Sequence, residues 1–136
     1  VAQVFDDQLF HVMRVVFQEH TARWSAALPG LTKPQFAVLS AIAASPGIEQ
    51  SALTVAAASS KATLAEMLGR LEARGLLTRT VDPGDSRRRF VSLTDEGRNV
   101  VSRAEPVADR IRDSMLSELS LEERATLLDL LRRIRS

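Results

Sequence analysis

The stretch Arg70-Leu71-Glu72-Ala73-Arg74-Gly75-Leu76-Leu77-Thr78-Arg79-Thr80-Val81-Asp82-Pro83-Gly84-Asp85-Ser86-Arg87-Arg88-Arg89-Phe90-Val91-Ser92-Leu93-Thr94 changes its hydrophobic period twice. Before Gly75 the spacing is helical, with Leu64, Met67, Leu68 and Leu71 on one side of a segment that Ser59 or Ser60 caps. Gly75 suits the C-terminal cap of that helix, because it takes a left-handed backbone without a steric penalty. From Leu76 to Val81 and from Arg89 to Leu93 the residues alternate as in short strands. Asp82-Pro83-Gly84-Asp85-Ser86 between them is dense in turn formers, so the stretch predicts a β-hairpin. Thr94 then caps a new helix.

Working outward, a short helix is expected from about Glu49 to Ala57. Thr32 and Gln35 form a T-x-x-Q capping box for a helix with Phe36, Leu39 and Ile42 inside, which stops before Ser45-Pro46-Gly47. At the start, Phe5, Leu9, Val12, Met13, Val16, Phe17, His20, Trp24 and Leu28 recur at helical spacings up to the stop at Pro29-Gly30. After Thr94 a long helix runs to about Glu118, with Val101, Ala104, Ala108, Ile111 and Met115 on one side and Pro106 expected to kink it. Ser120 and Glu123 box the start of a last helix carrying Leu127, Leu128, Leu131 and Ile134. The expected fold is mainly α with a small β-hairpin: a winged helix-turn-helix between N- and C-terminal helices. Those flanking helices carry more apolar surface than one small domain needs, so a homodimer through both chain ends is expected. The parts of this single integrated domain are residues 1–30, a central lobe 31–94 with its key helix at about 60–74 and wing at about 76–94, and residues 95–136.

Composition agrees with that picture and excludes others. The 136 residues are 45% apolar and only 4% aromatic, which favours helices packed through aliphatic side chains. Without cysteine there are no disulfides, thiolate metal sites or thiol redox switches. No apolar run is long enough for a bilayer, and Val1 to Asp7 carry acids without a basic region, unlike a signal peptide. A cytoplasmic protein that has lost its initiator Met is expected. Positive charge is concentrated: Ser59 to Phe90 hold seven basic residues against four acidic ones, whereas the rest holds eleven against thirteen. That is a mild footprint for nucleic acid.

The motifs sharpen it. Leu31-Thr32-x-x-Gln35-Phe36-x-Val38-Leu39, Lys61-Ala62-Thr63-Leu64, Arg70-Leu71-Glu72-x-x-Gly75-Leu76-Leu77-x-Arg79 and Asp82-Pro83-x-Asp85-x-Arg87-Arg88 running into Ser92-Leu93-Thr94-x-x-Gly97 together resemble the multiple-antibiotic-resistance regulator (MarR) family of transcription factors. The most specific element is the wing signature, D-x-R followed by L-T, met by Asp85, Arg87, Leu93 and Thr94. The turn Ala56-Ala57-Ala58-Ser59 departs from the family, which often has a larger apolar residue and a glycine there. The resemblance implies a regulator, most often a repressor, that binds a pseudo-palindrome in double-stranded DNA as a homodimer. The helix from Ser60 would enter the major groove, offering Ser60, Lys61, Thr63 and Glu66, with Arg70 further along. Ser60 also suits a plain N-cap, and Thr63 an intrahelical hydrogen bond. By the same resemblance Arg87 reaches into the minor groove, Arg88 touches the backbone, and Asp85 stabilises the wing by pairing with an arginine or capping the turn. Solvated arginines at the tip are the plainer alternative.

Family members commonly respond to small anionic aromatic or phenolic effectors. His11, Arg14 and Gln18 fall on one helical stripe that could meet a carboxylate, and Trp24 with His20 could supply an aromatic wall. Trp24 at such a position is more often plain interface or core. His11 and His20 do not share a face, no carboxylate cluster joins them, and no metal or cofactor is called for. There is no Gly-rich phosphate loop, no G-x-S-x-G and no H-E-x-x-H, so no enzyme is expected. The competing readings are a winged-helix protein–protein adaptor without sequence-specific DNA binding, and a small enzyme or ligand carrier with a helical pocket.

Overall fold

Four of the helices begin where a side chain satisfies orphan amide groups. Thr32 Oγ1 accepts from the Gln35 amide and Gln35 Oε1 accepts from the Thr32 amide, closing the box that starts α2 (Lys33–Ala44). Ser60 caps α4 (Lys61–Ala73), Thr94 caps α5 (Asp95–Met115), and Ser120 with Glu123 boxes α6 (Leu121–Arg135). The computed structural model describes residues 2–135, and side-chain surroundings from Gln8 onward, so the side chains of Phe5, Asp6 and Asp7 lie outside those described. The first helix, α1, spans Ala2–Ala27. Pro106 lies within α5, which ends at Met115 rather than near Glu118.

Two further elements differ from the sequence expectation. Glu49 is not helical: Ile48–Glu49 form a strand, β1, followed by a 3-10 turn over Gln50–Ala52 and only then by α3 (Leu53–Ala57). β1 is held from outside its own segment, by antiparallel pairing of Ile48 with Val91 and Glu49 with Phe90. The hairpin is also tighter than expected. Its strands are β2 (Leu77–Asp82) and β3 (Asp85–Leu93), joined through Pro83-Gly84, with Asp82 Oδ1 accepting from the Gly84 amide at 2.7 Å. Arg87, Arg88 and Arg89 therefore sit on a strand, whose side chains alternate between two faces. The sheet runs β1-β3-β2.

The core lies between α2, α3, α4 and the sheet. Val38, Leu39, Ile42, Leu53, Leu64, Leu68, Leu71, Leu77 and Val91 are fully buried, joined by Val101 and Ala104 from α5. Each such aliphatic side chain contributes roughly 1.5–3 kcal/mol relative to exposure. By contrast α6 buries none of its residues, and α1 exposes Leu9, Phe10, Val12, Val15, Val16 and Phe17. The lobe that holds α4 and the wing is thus rigidly supported, while both chain ends present apolar helix faces to water.

Candidate nucleic-acid interface

The start of α4 is an exposed polar edge on a buried apolar helix. Leu64, Leu68 and Leu71 face the core, while Ser60, Lys61, Thr63, Glu66 and Arg70 are exposed. Ser60 Oγ accepts from the Thr63 amide at 3.2 Å and donates to Thr63 Oγ1 at 3.0 Å, so the cap and Thr63 are one unit. The remaining free amide groups and the helix dipole make this edge favourable for an anion. Preceding it, Ala58 adopts a left-handed backbone (φ 50°, ψ 43°). That is the conformation a glycine takes without strain, at the point where the chain departs from the family pattern.

The three wing arginines have different surroundings. Arg87 is open, its side chain 89% exposed, with Nε 3.2 Å from Asp85 Oδ1. Asp85 Oδ1 also accepts from the Arg87 amide at 3.0 Å. That backbone hydrogen bond, and then the guanidinium, hold the Asp85 carboxyl below its usual pKa. Arg88 is tied down: Nε lies 3.2 Å from Glu49 Oε1, one terminal nitrogen lies 3.4 Å from Asp82 Oδ2, and its guanidinium lies 5.3 Å from the Phe90 ring centre. Hydrogen bonding to Glu49, above all, pushes its pKa further up. Arg89 lines a groove of about 180 Å³ together with Lys61 and Arg87. Lys61 and Arg87 thus come together, whereas Arg88 is bound to acids and Arg70 lies about 13 Å along α4 from Lys61.

Helix and wing are locked by residues that the motifs contain but to which the sequence assigns no partner, the Thr94 cap apart. Arg79 of β2 donates to Glu72 of α4 from Nε at 3.3 Å and from a terminal nitrogen at 3.0 Å. Thr94 Oγ1 donates to the Gly75 carbonyl at 2.6 Å while accepting from the Gly97 amide at 3.1 Å. Gly97 lies so close to the Leu76 backbone that a Cβ there would be 3.0 Å from its carbonyl carbon and closer still to its oxygen. The motif L-E-x-x-G-L…L-T-x-x-G is therefore the joint between α4, β2 and α5. Glu49 and Arg89 were legible only as a charge and as one of three arginines; the period of two along β3 was the available signal for Arg89.

A second cavity, of about 430 Å³, lies where α1 meets the start of α2 and is lined by Thr21, Trp24, Leu28, Lys33 and Gln35 among others. Trp24 is only 5% exposed; its indole N–H donates to the Leu31 carbonyl at 2.7 Å, and its ring lies against His20 and Phe36. Lys33 Nζ donates to Thr21 Oγ1 at 2.8 Å and approaches His20 Nδ1 at 3.1 Å. Burial, then the Lys33 charge, holds the His20 imidazole below its usual pKa. His11 and Arg14 are exposed on α1 and do not line this cavity.

A capped helix with an exposed polar edge, packed beside a basic two-stranded wing, defines a winged helix-turn-helix DNA-binding protein. A model of the MarR family matches residues 30–88. The chain is 53% identical to the transcriptional regulator HosA of Escherichia coli over 94% of its length and 95% of that protein. It is 35% identical to the HTH-type transcriptional repressor NicR of Pseudomonas putida, over 94% and 82%. Among solved structures it resembles Bordetella bronchiseptica BpsR, whose DNA binding is regulated by 6-hydroxynicotinic acid, with a TM-score of 0.84 and 34% identity over 95% and 99% of the two chains. The chain belongs to the MarR family of transcriptional regulators and is not an enzyme.

Proposed function

We propose that the protein is a repressor that binds a pseudo-palindromic operator as a homodimer and is released by a small anionic aromatic or phenolic ligand. The observation that carries the reading is the groove between the exposed edge of α4 and the wing, where Lys61, Arg87 and Arg89 converge. Residues 31–94 act as the DNA-binding lobe: Ser60, Lys61 and Thr63 meet the major groove, Arg70 the flanking backbone, and Arg87, steadied by Asp85, the minor groove. The flanking segments 1–30 and 95–136 form the dimer. The exposed apolar faces of α1 and of α6, with Leu127, Leu128, Leu131 and Ile134, support this, because such surface is unfavourable in water. Two α4 helices then address half-sites ~10 bp apart.

The test is fluorescence anisotropy of duplex DNA from upstream of the protein's own gene, beside a scrambled duplex, a salt series and Arg87→Ala. The upstream duplex should bind more tightly, with affinity falling as salt rises and in the variant. Binding to no duplex would bring the protein–protein adaptor forward. For the effector, the cavity beside Trp24 offers an aromatic wall and the Lys33 cation, with His11 and Arg14 on the same helix. Trp24 is the single tryptophan, so its emission reports on that cavity. Titration with 6-hydroxynicotinic acid and with benzoic acid should quench it and release the duplex; unchanged emission and binding with both would refute this site.

A further inference from the structure

The major and minor grooves of a duplex are separated by one phosphodiester strand. A fold that sends α4 into one groove and its wing into the next must straddle that strand, so the surface between helix and wing faces phosphate. In this protein that surface is the groove of about 180 Å³ lined by Lys61, Arg87, Arg89, Ser51 and Thr54, with Glu49 as the only acid among its lining residues. Alternation along β3 sets Arg87 and Arg89 on the face of the buried Val91, and Arg88 with Phe90 on the other. Arg89 is exposed and makes no ion pair among the described residues, whereas Arg88 reaches both carboxylate oxygens of Glu49, at 3.2 and 3.4 Å. A carboxylate beside a phosphate strand repels it unless a cation neutralises it first.

We propose that Arg89, with Lys61, holds the phosphate strand between the two grooves, and that Arg88 is a positioning residue that neutralises Glu49 at the rim without touching DNA. This rests on the DNA-binding reading above, and it moves the backbone contact from Arg88 to its neighbour. The two arginines then differ in kind. Arg89 contributes counterion release and no base recognition, so its loss weakens every sequence alike. Arg88 contributes by masking a charge, so removing that charge should make Arg88 dispensable.

The experiment is anisotropy of the full chain on the upstream and scrambled duplexes across a salt series. The variants are Arg89→Gln, Arg89→Lys, Arg88→Ala and Arg88→Ala with Glu49→Gln, each checked for a parent-like melting temperature. Arg89→Gln should weaken binding by the same factor on both duplexes and make the log–log salt slope shallower by about 0.9 per bound protomer, with Arg89→Lys restoring the slope. Arg88→Ala should weaken binding at an unchanged slope, and adding Glu49→Gln should restore affinity to within about twofold of the parent. Parent affinity and slope in Arg89→Gln would overturn the phosphate contact. A shallower slope in Arg88→Ala that Glu49→Gln does not repair would overturn the neutralising role. If the parent protein bound neither duplex at low salt, the DNA-binding reading itself would fall and this inference with it.

Discussion

Replacing Gly97 by alanine sets two opposed effects against each other. Gly97 lies in the first turn of α5, where alanine is favoured over glycine by up to about 1 kcal/mol. Against this, the new Cβ would overlap the Leu76 carbonyl and sit 3.4 Å from the Leu76 Cα. That carbonyl cannot swing aside freely, because it accepts from the Thr94 amide at 3.1 Å. Moving α5 away instead would break the Thr94 bond to the Gly75 carbonyl and disturb the helix cap. Overpacking costs about 1–3 kcal/mol and a lost cap about 1 kcal/mol. The clash wins, leaving a net destabilisation of about 2 kcal/mol, or a melting temperature lower by roughly 5–10 °C. The assay is thermal unfolding at fixed protein concentration, since association shifts the midpoint. Gly69→Ala is the control: its Cβ would meet only the Arg79 side chain, at 3.8 Å, so it should be neutral or raise the midpoint. A Gly97→Ala protein as stable as its parent would refute the argument, showing that α5 can pivot about the end of α4 at no cost.

Three other perturbations follow from the same geometry. Ala58→Gly relieves a left-handed alanine, worth about 1 kcal/mol, against a smaller gain in unfolded-chain entropy, so urea unfolding should show a slightly higher midpoint; Ala58→Val should lower it. A double-mutant cycle of Arg79→Ala and Glu72→Ala, read by urea unfolding, should give a coupling of about 0.5–1 kcal/mol, since the pair is half-buried and partly screened. His20 has its folded pKa below the unfolded value of 6.5, so near that pH the unfolded chain binds more protons. Its contribution is complete above pH 6.5 and is lost as pH falls through the unfolded pKa toward the folded one. The melting temperature should therefore drop over that range more steeply in the parent than in His20→Gln.

Much of the fold was legible in local chemistry. The pairs Thr32–Gln35 and Ser120–Glu123, and the caps Ser60 and Thr94, act within four residues of chain, so their partners are already written beside them. Leu64, Leu68 and Leu71 could be assigned to the core because a period of 3.6 leaves one stripe for it. The site was legible in part: Lys61 and Arg87 could be picked out from the motifs, and the groove that joins them could not.

Sequence alone determined the starts of α2, α4, α5 and α6, the hairpin, the winged helix-turn-helix class and the family, because caps, turns and periodicity are short-range properties. Only the tertiary structure decided that Glu49 pairs in a strand, that Arg88 spends its charge on Glu49 and Asp82 while Arg89 stays open, and that Gly97 must lack a side chain. Arg88 and Glu49 are separated by 39 positions, and α5 meets Leu76 only after the hairpin has folded back. Contacts of that range depend on strand register and helix packing, which the identity of neighbouring residues does not encode.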